Sequence, residues 1–442
     1  MTLRWPALLV LLASSCARAP APAASGTASE VSANAAAATA AEASSVLVAA
    51  PDAADPAASY DAPSGSADLS TSAGDAGVAS RAAAAEPQIE GRDFGAEART
   101  LFRVAACGST GDVPARFDPA VVARHCEALG RAYGEYQKSW VDLAKPFIAS
   151  LRPKDLPSVV VYPFGGGDLA SALATFPAAT EITTISLEPA GDIRPIDTLA
   201  SDRLAPELQT HRSHLERLFE KAHSRTDNLE KESKTELPGE ILFALAALAV
   251  SGDEPVGLRY LRLRPDGSVA YVTQGDIDAA KTVADRRALF ANAELRFRAS
   301  GSDGPVQVFR HISFNLDDAH LGADPSLLAH LGAKGKVAAM TKAASHLLWS
   351  EHFSTMRSWL LEHTDWMISD STGIPPRFAN PAGFAQDTYG AFHGPAPFGL
   401  LDDRDATDMK KLFTSQPARD LPFRYGYPDR DGHGHLIVTR RL

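Results

Sequence analysis

From Val122 onward the apolar positions fall four and three apart: Val122, Cys126, Leu129, Tyr133, Tyr136, Trp140, Leu143 and Phe147. This spacing predicts one long helix with a single apolar stripe, leaving Arg131, Glu135, Lys138 and Asp142 off it. Pro146 is expected to end or kink that helix, because proline lacks an amide and its ring crowds the preceding turn. The pattern then changes. Val159 to Phe164 is a near-continuous apolar run, as expected of a strand buried on both faces. Gly165, Gly166 and Gly167 turn the chain, Asp168 is placed to cap, and Leu169, Leu173 and Phe176 mark a short helix that Pro177 stops. "EITTISLEPAGD" predicts a second strand ending at Glu188. Strand, turn, helix and strand in that order make a βαβ unit, which implies a parallel pair with a right-handed crossover.

Two helical stretches follow, "PELQTHRSHLERLFEKAHS" and the strongly apolar "GEILFALAALAVSG". "GLRYLRLRPDGSVAYVT" places a Pro-Asp-Gly turn between two alternating runs, and "AELRFRASGSDGPVQVFRHISFNLDD" repeats that design with a longer loop, so both predict hairpins. "KVAAMTKAASHLLWSEHFSTMRSWLLEH" has Val337, Met340, Ala344, Leu347, Met356 and Leu360 at helical spacing and predicts one long helix. "DWMIS" predicts a strand, and "FRYGYP" with "HLIVTRR" a last hairpin. The expected class is α/β: a mixed sheet, parallel in its βαβ start and antiparallel in later hairpins, with helices packed on it.

The N-terminus adds an address. Arg4 precedes a short apolar run, Ala7 to Ala13, and small residues lead to Cys16, which is a secretory signal layout too short to span a bilayer. "LASSC" resembles the bacterial lipobox, which implies a signal peptide over residues 1–15 and lipidation of Cys16. An ordinary cleaved signal is the alternative. From there to about residue 94 the chain is Ala, Ser, Gly and Pro with scattered acids, too poor in apolar side chains to offset its conformational entropy. Residues 16–94 are therefore expected to be a disordered tether, and residues 95–442 a single mixed α/β domain.

Charge and cysteine count narrow the partners. The net charge of −11 argues against a general affinity for nucleic acid. Of three cysteines, Cys107 and Cys126 remain once Cys16 is lipidated. In an oxidising compartment they would form a bridge contributing roughly 3 kcal/mol, two buried thiols being the alternative.

Candidate chemistry gathers at predicted strand ends. Asp168, Glu188, Asp317 with Asp318, and Asp370 each follow a strand, and ligands of open α/β sheets sit beyond the carboxyl ends of strands. A rim of Asp168, Glu188, Asp317 and Asp370 would hold a divalent cation, Ca²⁺ or Mg²⁺, through oxygen ligands, or supply an acid and base pair. Lys342 and His346, expected one turn apart on the long helix, would add a cation and a proton carrier. The alternative is that these acids only cap helices. His211, His214 and Glu216, the pair His433 and His435, and Ser371 with Thr372 beside Asp370 are weaker candidates, since none matches a metal or nucleophile motif.

The glycine corner resembles part of a class I methyltransferase half-Rossmann unit. That resemblance implies that Gly165, Gly166 and Gly167 approach S-adenosylmethionine and that Glu188 binds its ribose. The corner departs from the family pattern in having Tyr162, Pro163 and Phe164 where an acid is usual. More broadly, the blocks "YPFGGGDL", "SLEPAGD", "TKAASHLL" and "DSTGIP" resemble an uncharacterised family of exported bacterial proteins with similar blocks in the same order. The likeness covers most of Val159 to Leu442 and implies one integrated domain without an assigned activity. The functional expectation is a membrane-anchored lipoprotein of the cell envelope, in the outer membrane or facing the periplasm, with a binding or assembly role. An envelope hydrolase using the strand-end carboxylates is the alternative, and a methyltransferase a further one.

Overall fold

A computed structural model of the chain describes residues 90–108, 111–221, 235–392, 403–426 and 434–442. The expected signal peptide, the lipidation residue Cys16, nearly all of the expected tether and His433 lie outside the described residues. Ala85–Leu442 forms one compact unit. Within it Phe94 is fully buried and packs edge-on against Tyr260, with ring centroids 5.0 Å apart.

Among the described residues ten strands make one mixed sheet, as the alternation of parallel and hairpin signals predicts. In chain order they are β1 (Val159–Pro163), β2 (Glu181–Ser186), β3 (Asp253–Leu263), β4 (Val269–Tyr271), β5 (Asn292–Ala299), β6 (Gln307–Ser313), β7 (Val337–Thr341), β8 (Thr364–Ser369), β9 (Phe384–Gly390) and β10 (His435–Arg441). The spatial order is β4-β3-β5-β6-β2-β1-β7-β8-β10-β9. Strands β6, β2, β1, β7 and β8 run parallel; β3, β4 and β5 attach as antiparallel hairpins on one flank, and β10 lies antiparallel between β8 and β9 on the other.

The helices used below are α1 (Gly95–Val104), α2 (Pro119–Tyr136), α3 (Asp142–Leu151), α4 (Leu169–Thr175), α5 (Ser201–Lys221), α6 (Gly239–Ser251), α7 (Asp318–Ala323) and α8 (Ser354–His363). They cover both faces, so β1 and β7 at the centre are apolar on both sides. Val160, Tyr162, Ala338 and Met340 join α1 to α6 in one core, while Val161, Val337, Ala339 and Met367 join α8 in the other. This is the two-residue period of a strand read onto two layers of helix.

Three expectations need correction. The stretch expected to be one long helix from Lys336 starts as β7, all five residues buried, followed by 3₁₀ turns and only then α8. A strand covered on both faces carries no polar alternation, so its apolar residues matched helical spacing by chance. Strand β10 pairs with β8 and β9 rather than with "FRYGYP". The stripe helix is two helices, α2 and α3, joined by a π turn at Gln137–Val141, and Pro146 sits inside α3. One extra residue in the turn advances the face by about 100°. Accordingly Ala144 and Ile148 are buried, and Leu143 is turned 39% into solvent. The expected disulfide Cys107–Cys126 is present and ties the segment after α1 to α2.

Candidate functional site

The sheet has a topological switch at β1. The chain leaves β1 toward β2 on one side and returns as β7 on the other, which opens the crevice where doubly wound sheets bind ligands. The carboxyl ends of β1, β7 and β8 bring Asp168, Lys342 and Asp370 to this place. Lys342 is the residue after β7, so it reaches the rim as a strand end rather than from a helix.

Asp168 caps α4: its Oδ1 accepts from the Ser171 amide at 3.4 Å. Its Oδ2 lies 2.5 Å from Lys342 Nζ and accepts from the Tyr162 hydroxyl at 3.0 Å. Lys342 Nζ also donates to Ser171 Oγ at 2.8 Å and stands over the Tyr425 ring at 5.7 Å. Asp370 Oδ2 accepts from the Ala343 amide at 3.0 Å, and its Oδ1 from the Thr372 amide at 2.9 Å and the Thr372 hydroxyl. Ser345 Oγ is 2.6 Å from Thr372 Oγ1. Burial and the charges of Asp168 and Asp370 hold the Tyr162 and Tyr425 hydroxyls well above the usual phenol range, so both remain protonated.

The cluster is closed. Asp168 is 4% exposed, Lys342 1% and Asp370 0%. Gly426, with φ +65°, lies against Asp370 so tightly that a Cβ there would meet its carboxylate oxygen. Two non-glycine residues adopt left-handed backbone at the ends of the adjacent strands β1 and β7, Phe164 at φ 61° and Ala343 at φ 59°. Strain of this kind persists only where surrounding contacts over-determine it.

Thr372 thus joins the cluster through Asp370, whereas Asp317 and Asp318 serve elsewhere. Asp317 caps α7, accepting from the His320 amide at 2.8 Å and pairing with its ring at 2.7 Å. Asp318 holds the start of α8 through Ser354 and Thr355. His346 lies in the 3₁₀ turn after Lys342 and donates from Nδ1 to the Ala343 carbonyl at 3.3 Å; burial lowers its pKa. Among the described residues no group of three or more His, Cys, Asp or Glu is placed to hold a metal ion. The expected Ca²⁺ or Mg²⁺ set of Asp168, Glu188, Asp317 and Asp370 is therefore not assembled, because capping and pairing commit three of the four separately.

Around the glycine turn the chain fills its own space. A Cβ on Gly165 would meet the Tyr162 ring at 2.6 Å, and one on Gly167 would meet Phe243 at 2.7 Å and Glu240 at 2.9 Å. Close packing by side chains accounts for Gly165 and Gly167, while Gly166 turns the chain in left-handed backbone at φ 47°. Glu240, near the start of α6, and His311, on β6, are buried here and carried no signal in the sequence beyond sitting in apolar runs. Burial, reinforced by the Glu188 carboxylate, raises Glu240 well above the usual carboxylate range. Burial lowers His311, whose Nε2 is bonded to the Glu188 carbonyl at 2.8 Å.

His211 and His214 of α5 are buried structural residues in the packing of α5 on α2, with Glu207 Oε2 3.8 Å from His211 Nε2. Glu207 in turn accepts from the Glu236 and Leu237 amides. Away from the rim, an open cleft of about 340 Å³ lies between α3, α4 and the start of β3. No protein-family model matches the chain, and no curated protein matches it.

Proposed function

We propose that this chain is an exported bacterial lipoprotein, held at a membrane of the cell envelope through Cys16, whose folded unit is a binding module. The observation that carries the reading is the closure of the strand-end cluster. Asp168, Lys342 and Asp370 converge where an α/β enzyme places its chemistry, yet each is buried and committed to a protein partner. A hydrolase needs a carboxylate that reaches water and substrate; these hold α4, β7 and β8 together instead. The closest test is chemical access. Native protein treated with an amine-acylating reagent should keep Lys342 unmodified while the half-exposed Lys336 reacts, as read by peptide mass spectrometry. Equal reaction of the two lysines would favour an open, enzyme-like site. Anchoring is tested separately: Cys16→Ser should release the protein from the membrane fraction.

A second reading rests on topology. The strands from β6 to β9, in the order β6-β2-β1-β7-β8-β10-β9 with β10 antiparallel, follow the sheet order of class I methyltransferases, and Glu188 follows β2. Two of the three glycines at the turn do not fit a cofactor cradle, since Tyr162 packs on Gly165 and Phe243 with Glu240 on Gly167. The likeness supports a shared architecture and no transfer step. Calorimetric titration with S-adenosylmethionine should accordingly show no binding.

A further inference from the structure

We infer that the cleft between α3, α4 and the start of β3 binds a small zwitterion, a ligand carrying one carboxylate and one protonated amine. The inference rests on the binding reading above and names the site and ligand class that reading lacks.

The cleft is built by a local irregularity. The π turn at Gln137–Val141 separates α2 from α3 and presents Gln137 and Val141 with Lys145 along one wall. Turns of this kind widen a helix at the expense of regular hydrogen bonding and recur at functional sites. Helix α4 contributes apolar Ala170 and Leu173 to the lining, and Asp253 at the start of β3 contributes a carboxyl group. The volume of about 340 Å³ sits at the small end of ligand pockets, the size for a compact polar molecule.

Charge selects the class. Lys145 and Asp253 line the same cleft, and the Lys145 charge acts on Asp253, yet among the described residues neither forms an ion pair. A cation and an anion that line one cleft without pairing present complementary poles for a carboxylate and an amine. Burial raises the pKa of Asp253, with Lys145 opposing, so an incoming ammonium would relieve a carboxyl left without a partner. Gln137 Nε2 is committed to Asp142 at 2.6 Å and Gln307 Nε2 to the Ala179 carbonyl at 2.6 Å. Their Oε1 atoms remain as acceptors, which favours the amine end further. A plain anion would meet Asp253 and a plain cation Lys145; a zwitterion satisfies both.

The site also has a route to the core. Tyr136 lines the cleft and its hydroxyl interacts with Ser171, which accepts the Lys342 hydrogen bond. An occupant thus stabilises the same helix α4 that Asp168 caps.

The test uses the folded protein and free amino acids as probes. Thermal melting with millimolar glycine, leucine or glutamate is compared with acetate and methylammonium at the same concentration. At least one amino acid should raise the melting temperature, and the two single-charge ions should not. Lys145→Ala and Asp253→Asn should each weaken affinity for that amino acid by roughly tenfold to a hundredfold, the loss of one charge-assisted hydrogen bond. Asp253→Asn should meanwhile leave the ligand-free melting temperature level or higher, which separates lost binding from lost folding. Absence of any amino-acid shift, an equal shift with acetate or methylammonium, or an unchanged affinity in both variants would overturn the inference. None of those outcomes alters the protection of Lys342, so the failure of the ligand class and the failure of the binding reading remain distinguishable.

Discussion

The backbone amide of Ala343 donates to Oδ2 of Asp370 at 3.0 Å, which ties the end of β7 to the end of β8. Ala343 reaches that carboxylate only in left-handed backbone, at φ 59°. A Cβ in that region costs roughly 1–2 kcal/mol, offset in a glycine variant by the greater freedom of the unfolded chain. Ala343→Gly should therefore melt at the wild-type temperature or slightly above, and Ala343→Val well below it. A large loss in the glycine variant would mean that the methyl group, and not the backbone tie, matters here.

The Cys107–Cys126 bridge closes a loop from the segment after α1 into the first half of α2. Replacing both cysteines by serine should lower the stability measured by urea unfolding by roughly 3 kcal/mol, the chain-entropy value for a loop of this size. Peptide mapping without reductant should recover the two cysteines joined.

His211 carries an acid sensitivity with a defined sign. Burial, helped by His214 and His125, pulls its pKa from 6.5 to about 3. Below its ordinary pKa the unfolded chain takes up a proton that the folded chain refuses. Stability must then fall as pH falls from 6.5 toward 3, by at most about 1.4 kcal/mol per unit for this group. His125, His311, His330 and His346 are lowered in the same direction and add to the slope. In His211→Gln the decline should be shallower than in wild type; an identical slope would show that His211 does not contribute.

Glu240 acts in the opposite direction. It stays protonated in the folded chain while its unfolded counterpart ionises above 4.5, so rising pH withdraws stability. Glu240→Gln keeps the shape and removes the ionisation. Urea unfolding should show the variant gaining on wild type as pH increases through neutrality. A constant difference between the two would indicate that the buried carboxyl is ionised and partnered.

The parallel start and the two central hairpins were legible because their signals are local: a glycine turn between apolar runs, and Pro-Asp-Gly between alternating ones. Strand β7 was not, since five consecutive buried residues, Val337–Thr341, carry no period to separate strand from helix. The pairing of β10 with β9 depends on contacts across a long stretch of chain, which a local turn signal cannot supply. At the site, Asp168, Lys342 and Asp370 were all identifiable as residue types, but the carboxyl-end rule drew Asp317 and Glu188 into the same rim, and Asp317 instead caps its own helix. That Asp168, Lys342 and Asp370 close on one another rather than face solvent depends on Tyr162, Tyr425 and Gly426 packing around them, which no motif encodes. Glu240 and His311 lay hidden for a related reason: polar residues inside apolar runs give no sign of what they face.

The central claim is that the strand-end charges hold the fold together and are shut away from any ligand. A double-mutant cycle on Asp168→Leu and Lys342→Met, read by urea unfolding, tests it most directly. Each single change strands one buried charge and should cost about 3–5 kcal/mol, and the paired change should recover much of that loss. Single losses of about 1 kcal/mol or less that simply add, as they do for solvated charges, would contradict the account and reopen the cluster as a working site.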